Sequence, residues 1–119
     1  MKHNLNRKVN CIIPAYNAAR YLSEAIQSVI NQTVGFHTIN LIIVNDGSDD
    51  NTEDIILDYQ GKFDNIFYIA QKNNGVSAAR NAGLEYCEAH LPAPYTCFLD
   101  ADDKYDAAHV ERTTRYLES

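Results

Sequence analysis

The sequence has few cysteines, few basic residues and no long apolar run, and each shortage excludes a class of protein. The three cysteines, Cys11, Cys87 and Cys97, are odd in number and lie in apolar segments, which favours buried thiols over a disulfide framework. The ten lysines and arginines are scattered through a chain of net charge −6, so nucleic acid is not expected as a partner. No run reaches the roughly 18 apolar residues of a membrane span, and the start of the chain leads into no signal-peptide core. We therefore expect a cytoplasmic protein.

The 119 residues suffice for one domain with a single core, and they contain no internal repeat or low-complexity tract. Four apolar runs predict strands at about residues 9–13, 39–44, 66–70 and 95–99. Pro14 is expected to end the first strand because it lacks a backbone N–H. Apolar residues at helical spacing predict helices at about residues 21–33, 52–59, 77–90 and 107–117.

Strands and helices that alternate in this way predict an α/β fold, with a doubly wound, mainly parallel sheet and helices on both faces. In such folds, ligands bind beyond the carboxyl ends of the strands. Polar and turn-forming residues concentrate in the four loops at those ends, at residues 14–17, 45–50, 73–77 and 100–103. The sequence therefore predicts a binding site built from these loops.

The last of these loops carries three carboxylates, Asp100, Asp102 and Asp103, close behind an apolar strand. Mg²⁺ and Mn²⁺ prefer hard oxygen ligands, so one or two carboxylates and a diphosphate would complete the shell of such an ion. By itself, however, an Asp-x-Asp triplet is more often a solvated acidic turn. In the same way, Asp46 and Gly47 form a favourable turn pair outside any site. The neighbouring loops must decide between these interpretations.

Five segments, in order along most of the chain, resemble the family 2 inverting glycosyltransferases of GT-A fold. They are residues 13–17 (IPAYN), 21–33, 44–50 (VNDGSDD), 74–83 (NGVSAARNAG) and 98–103 (FLDADD). The resemblance implies the strand order 3-2-1-4, which would place the loops at Tyr16 and Asp102 across one crevice. It also implies a nucleotide diphosphate sugar as the donor and Mn²⁺ or Mg²⁺ as the cofactor.

The same resemblance implies roles for individual residues. Asp46 would accept from the imide N–H of a base, which discriminates against a base that lacks this donor. Asp102 would be the metal ligand, although the tandem Asp102 and Asp103 leave that assignment open. Arg80 would pair with phosphate or with a site aspartate, or be a solvated helix residue. The implied substrate-binding residues are Pro14, Ala15, Tyr16, Asn17, Asp46, Asn74, Arg80, Asp100, Ala101 and Asp103.

By resemblance, residues 1–119 are expected to form the donor-binding half of the enzyme, with no catalytic residue among them. The acceptor half and the general base of an inverting displacement would lie further along the chain. The expected reaction moves a sugar from a nucleotide diphosphate sugar, with uridine diphosphate (UDP) favoured, to a hydroxyl of a glycan or lipid-linked glycan. This reaction would serve the synthesis of polysaccharide or cell-envelope glycan. The missing part of the enzyme would be a candidate for peripheral association with the inner face of the membrane.

Alternatives from other classes are weaker. A phospho-acceptor receiver domain needs acidic residues directly after the first strand, where this chain has residues 14–17 (PAYN). A dinucleotide-binding oxidoreductase needs Gly-x-Gly-x-x-Gly at the same place, and the five glycines do not have that spacing. The alternative that stays open is a non-catalytic fragment of the same fold that binds a nucleotide sugar.

Overall fold

The computed structural model describes residues 7–118, and strands and helices alternate along this part of the chain. A single 3₁₀ turn, Phe36–Thr38, precedes the second strand. The other elements are β1 (Val9–Ala15), α1 (Leu22–Ile30), β2 (Ile39–Asp46), α2 (Thr52–Gln60), β3 (Ile66–Gln71), α3 (Val76–His90), β4 (Tyr95–Phe98) and α4 (His109–Glu118). This order confirms the predicted α/β alternation.

The four strands form one parallel sheet in the order β3-β2-β1-β4. Every residue of β1 and β2 is buried, which explains why these runs are apolar at nearly every position instead of alternating. The order agrees with the one that the family resemblance implies. It also makes Cys11 of β1 and Cys97 of β4 direct neighbours, and both carry free thiols.

Helices cover both faces of this sheet. On one face, the buried side chains of α1, α2 and α4 pack against β1 and β2, with Ile26, Ile56 and Val110 among them. On the other face, Ala79 and Cys87 of α3 pack against the opposite side of the same two strands. The sheet is thereby held between two apolar layers, which leaves its two ends for polar residues.

The prediction that Pro14 ends the first strand is wrong, because β1 continues to Ala15. The reason lies in the direction of the missing N–H. The carbonyl of Ile12 accepts from the N–H of Leu99, so alternate residues of β1, Pro14 included, face β4. Since β4 ends at Phe98, opposite Ile12, no strand residue stands where the proline would have to donate.

The first helix is shorter than predicted and ends at Ile30. The residues that follow bond to α4 and to the turn that precedes it instead of continuing the helix. The Gln32 side chain donates to the Asp106 carbonyl at 2.8 Å and accepts from the Val110 N–H at 2.8 Å, and the Thr33 N–H donates to the Ala107 carbonyl. Within residues 7–118, no helix is long and apolar enough to cross a bilayer.

Candidate functional site

Two adjoining clefts open at the carboxyl ends of the strands. The first, called here the Asp46 cleft, has a volume of about 230 Å³ and is lined by Pro14, Ala15, Tyr16, Asp46, Asn73, Gly75, Val76 and Ala79. The second, the Asp102 cleft, has a volume of about 440 Å³ and is lined by Pro14, Tyr16, Asn17, Ala18, Tyr21, Val76, Arg80, Asp100, Ala101 and Asp102. Pro14, Tyr16 and Val76 belong to both, so the clefts form one bipartite crevice.

The buried Asp46 carboxylate at the end of β2 is held by four donors. Its Oδ1 accepts from the Gln71 side-chain amide and from the Asn74 N–H, each at 2.8 Å. Its Oδ2 accepts from the Gly75 N–H at 3.0 Å and from the Asn73 side-chain amide at 3.3 Å. A carboxylate offers about four lone-pair positions, so this one is saturated by the protein itself.

These contacts keep Asp46 ionised. Burial raises the pKa of the Asp46 carboxyl, but the hydrogen bonds from Gln71, Asn74 and Gly75 favour the charged form and together outweigh burial. The net result is a pKa below its ordinary value. Asp46 is therefore a hydrogen-bond acceptor at neutral pH, and it ties the end of β2 to the start of α3.

The loop after β1 is fixed by the loop after β2. Asn17 has a left-handed backbone conformation, with φ of 49°, which asparagine adopts more readily than most residues other than glycine. Its N–H donates to the Ser48 hydroxyl and its side-chain oxygen accepts from the Asp49 N–H, both at 2.9 Å. The next residue, Ala18, donates from its N–H to the Thr52 hydroxyl at 2.9 Å. The polar run after Asp46 thus shapes one wall of the crevice.

In the Asp102 cleft, Arg80 of α3 pairs with Asp100 at 2.9 Å between the guanidinium and the carboxylate. The Arg80 Nε is buried and has no hydrogen-bond partner among residues 7–118. Because a guanidinium has five N–H donors, one bond to Asp100 leaves others for an anion in the cleft. The sequence left three roles open for Arg80: pairing with phosphate, pairing with a site aspartate, and a solvated position on the helix. In the structure, the Arg80 side chain pairs with Asp100.

Asp102 and Asp103 point to different surroundings. Asp102 lines the cleft, and across residues 7–118 no hydrogen bond or ion pair involves its side chain. The Asp103 carboxylate accepts from the N–H of Lys104 at 2.9 Å and does not line the cleft. Nowhere in that range do three His, Cys, Asp or Glu side chains come close enough to hold a metal together. One free carboxylate fits Mg²⁺ or Mn²⁺ when substrate oxygens and water supply the remaining ligands.

The other predicted residues also gather here. Tyr16 is 52% exposed and separates the two clefts, whereas Ala15 and Ala101 are buried beneath them. Asn74 contributes its backbone N–H to Asp46, with its residue exposed. All eleven predicted residues therefore lie at the same end of the sheet, and Asn74 and Asp103 are the two that line neither cleft.

The side chains that organise Asp46 are not among the residues predicted from the sequence. Gln71 and Asn73 donate to its carboxylate, and no local pattern indicates either contact, since both lie at least 25 residues further along the chain. One missed contact is local: the side-chain oxygen of Asn45 accepts from the backbone N–H of Ser48 at 3.1 Å. Asparagine commonly makes such bonds to nearby backbone in turns, so the Asn at this loop was a usable signal.

Comparison with known sequences places these features in a family. The profile of "Glycosyl transferase family 2" matches residues 10–119. Among curated proteins, the minor teichoic acid biosynthesis protein GgaB of Bacillus subtilis is 43% identical over 116 residues, which are 97% of this chain and 12% of GgaB. The glycosyltransferase GlyA of Streptococcus pneumoniae serotype 4 is 38% identical over 104 residues, which are 87% of this chain and 14% of GlyA. The chain thus spans about an eighth of these relatives.

Among solved structures, residues 1–349 of S. aureus TarS in complex with UDP superpose on this chain with a TM-score of 0.82 and 25% sequence identity. The match covers 93% of this chain and 32% of the TarS chain. Fold, motif order and family profile agree, and the profile covers all but the first nine residues. The chain belongs to glycosyl transferase family 2.

Proposed function

We propose that this chain is the donor-binding half of an inverting glycosyltransferase that uses a UDP-sugar and Mn²⁺ or Mg²⁺. The observation that carries the proposal is the bipartite crevice, in which a buried carboxylate lies in one cleft and an arginine and a free carboxylate lie in the next. A nucleotide diphosphate has the same two-part chemistry, with hydrogen-bond donors on the base and negative charge on the diphosphate.

The Asp46 cleft suits the base. Its volume of about 230 Å³ and its mainly apolar lining, with Tyr16 exposed at the rim, fit a flat aromatic ring. The ionised Asp46 at the floor is an acceptor that can bind the imide N–H of uracil. A base without a ring N–H cannot form this hydrogen bond, and the loss of that bond is the proposed basis for selectivity.

The Asp102 cleft suits the diphosphate. The guanidinium of Arg80 neutralises phosphate charge, and its pairing with Asp100 holds it in place. Asp102 would hold the metal ion, with Asp103 the alternative ligand in the same turn. When bound, that ion supplies electrostatic stabilisation of the negative charge on the departing nucleotide. The protein's own residues bind and orient the donor so that the anomeric carbon faces an acceptor.

The remaining steps belong to the rest of the protein. Inversion requires a general base on the opposite face of the sugar, and we place this carboxylate in the acceptor half, beyond residue 119. GgaB is named for teichoic acid biosynthesis, which supports a glycan or lipid-linked glycan of the cell envelope as the acceptor. A UDP-dependent enzyme of this kind would act in the cytoplasm, with the rest of the protein associated with the inner face of the membrane.

Titration calorimetry of the intact protein with UDP tests the proposal. We expect UDP to bind more tightly with Mn²⁺ than with a chelator, and more tightly than adenosine diphosphate, whose base lacks a ring N–H. Equal affinity with and without metal would contradict the metal site, and equal affinity for the two nucleotides would contradict the role of Asp46. UDP binding without sugar transfer to any envelope glycan would favour the non-catalytic alternative.

A further inference from the structure

The four donors on Asp46 pose a problem for base binding, since no lone pair of the carboxylate is left for an imide N–H. A base can bind to Asp46 only if one donor leaves. The two backbone donors, the N–H groups of Asn74 and Gly75, are fixed in the turn that opens α3. The donor that leaves must therefore be one of the two side-chain amides, Gln71 or Asn73.

The two amides differ in position. Gln71 ends β3, bonds to Oδ1 at 2.8 Å and does not line the cleft. Asn73 is exposed, lines the cleft, and makes the longest of the four bonds, 3.3 Å to Oδ2. It also donates to the Asp46 backbone carbonyl at 3.1 Å, so its amide keeps a partner when it leaves the carboxylate.

Within Asn73, the backbone is closely packed, whereas the side chain is exposed and can rotate. A Cβ on Gly47 would lie 2.6 Å from the Asn73 backbone nitrogen, so the loops after β2 and β3 are in close contact at this point. Gly47 itself has φ of 71°, in the left-handed region that glycine favours. The Asn73 backbone therefore packs against the turn that follows β2, and rotation of its side-chain amide away from Oδ2 would leave this packing in place.

We infer that the Asn73 amide occupies, in the empty protein, the position that the imide N–H of the base takes when the nucleotide binds. This inference rests on the proposed function. Asn73 is then a specificity-determining residue that competes with the ligand, and each binding event exchanges one hydrogen bond to Asp46 for another. While the cleft is empty, the Asn73 amide also provides a hydrogen bond to the buried carboxylate, which would otherwise be left with one fewer.

The inference predicts that removing the amide improves binding. Because a typical hydrogen bond contributes little net free energy, Asn73→Ala should bind UDP about two- to tenfold more tightly than the unaltered protein. Asn73→Ser, whose hydroxyl is too short to reach Oδ2, should show the same gain and serves if the alanine variant folds poorly. Gln71→Met is the matched control, because it removes the other amide donor outside the cleft and should give no gain.

The experiment is calorimetry of the intact protein and these three variants with UDP and with 3-methyluridine diphosphate, which lacks the imide N–H. The gain should appear with UDP and be absent with the methylated nucleotide. Equal or weaker UDP binding by both Asn73 variants would overturn the inference, as would an equal gain for Gln71→Met or for the methylated nucleotide. If the unaltered protein does not bind UDP at all, the proposed function itself fails, which is a separate result.

Discussion

At the amino end of the sheet, buried polar side chains bond to one another. At the carboxyl end, called here the open end, several polar side chains face the two clefts of the candidate site. Asn40 accepts from Arg7 at 3.2 Å and donates to Asn10 at 2.9 Å, and Asn10 donates to the Leu91 carbonyl at 2.7 Å. Arg7 also pairs with Asp64 at 3.3 Å. Arg7, Asn10 and Asn40 are all at least 92% buried. Asn10 borders a cleft of about 500 Å³, but the polar side-chain atoms of this network already bond to the protein. In that sense we call the amino end the closed end.

The carboxyl end uses the same kinds of side chain differently. Asp102 has no partner within the described chain, Arg80 retains a buried Nε without one, and Tyr16 is half exposed. Asp46 is intermediate, because it lies at the open end but is saturated like the residues of the closed end. Unused hydrogen-bonding capacity, more than polarity or charge, therefore distinguishes the binding end of the sheet from the structural end.

The largest expected effect is on UDP binding, and it comes from a residue at the open end of the sheet. Asp102→Asn should weaken metal-dependent UDP binding by about 100-fold, because it removes the one free carboxylate of the Asp102 cleft. Its melting temperature should not change, since the side chain makes no contact within residues 7–118 that stabilises the fold. Calorimetry with UDP and Mn²⁺ measures the loss, with the exposed Asp58→Asn as the charge-matched control. A larger loss for Asp103→Asn would move the metal site to that residue.

Asp46→Asn should affect both stability and binding, because Asp46 shares features of both ends. An asparagine amide would face two N–H donors, so we expect a loss of about 2 to 3 kcal/mol in unfolding free energy at pH 7. The folded pKa of Asp46 lies below its unfolded value of 3.8, so its stabilisation is present above that pH and lost as pH falls through the folded pKa. The difference between variant and unaltered protein should therefore shrink below pH 3.8.

Urea unfolding at pH 7 and at acid pH measures this difference, with Asp49→Asn as a control that removes a nearby exposed charge. A gap between Asp46→Asn and the unaltered protein that stays constant down to pH 2 would contradict the assigned pKa direction.

Asn40→Ala tests the closed end. The substitution leaves groups on Arg7 and Asn10 buried without their partner, which should cost about 2 kcal/mol of unfolding free energy. UDP affinity should stay unchanged, because the network lies at the opposite end of the sheet. The exposed Asn31→Ala should remain within about 0.5 kcal/mol of the unaltered protein. Weakened UDP binding at full stability in Asn40→Ala would remove the distinction between the two ends.

The smallest effect is expected between the ends, where α3 packs on β1. A Cβ on Gly83 would lie 2.6 Å from Cγ2 of Ile12, a branch that is fixed in the core. Overpacking costs about 1 to 3 kcal/mol, against a gain of about 1 kcal/mol in helix propensity, so Gly83→Ala should lose about 1 kcal/mol. Urea unfolding checks this, with the exposed Glu85→Ala as control. A more stable variant would show that the contact can relax.

The sequence predicts the sheet well because its signal is local. All residues of β1 and β2 are buried and most of them are apolar, so these runs can be recognised without knowing their partners. The error at Pro14 has a non-local cause, since its place in β1 depends on where β4 ends. The early end of α1 is similar, because Gln32 bonds to residues more than 70 positions away.

For the candidate site, too, the sequence indicates some features and not others. The resemblance to family 2 glycosyltransferases is what singles out Asp46, Arg80 and the aspartates of the last loop, because the motifs that contain them follow one another in the family's order. They do not reveal that Asp46 is saturated, since its donors come from Gln71, Asn73 and two backbone groups brought close by the fold. That occupancy, more than the identity of the residues, determines how a base would enter.

Hydrogen–deuterium exchange of the intact protein, with and without UDP and Mn²⁺, tests most directly the claim that the two ends differ in function. We expect slower exchange in peptides that contain residues 14–18, 46–49, 73–77 and 100–104, at the open end of the sheet. Peptides that contain residues 7–10, 38–41 and 91–96, at the closed end, should exchange equally in both conditions. Protection confined to the closed end, or no protection at the open end under saturating UDP, would contradict the account.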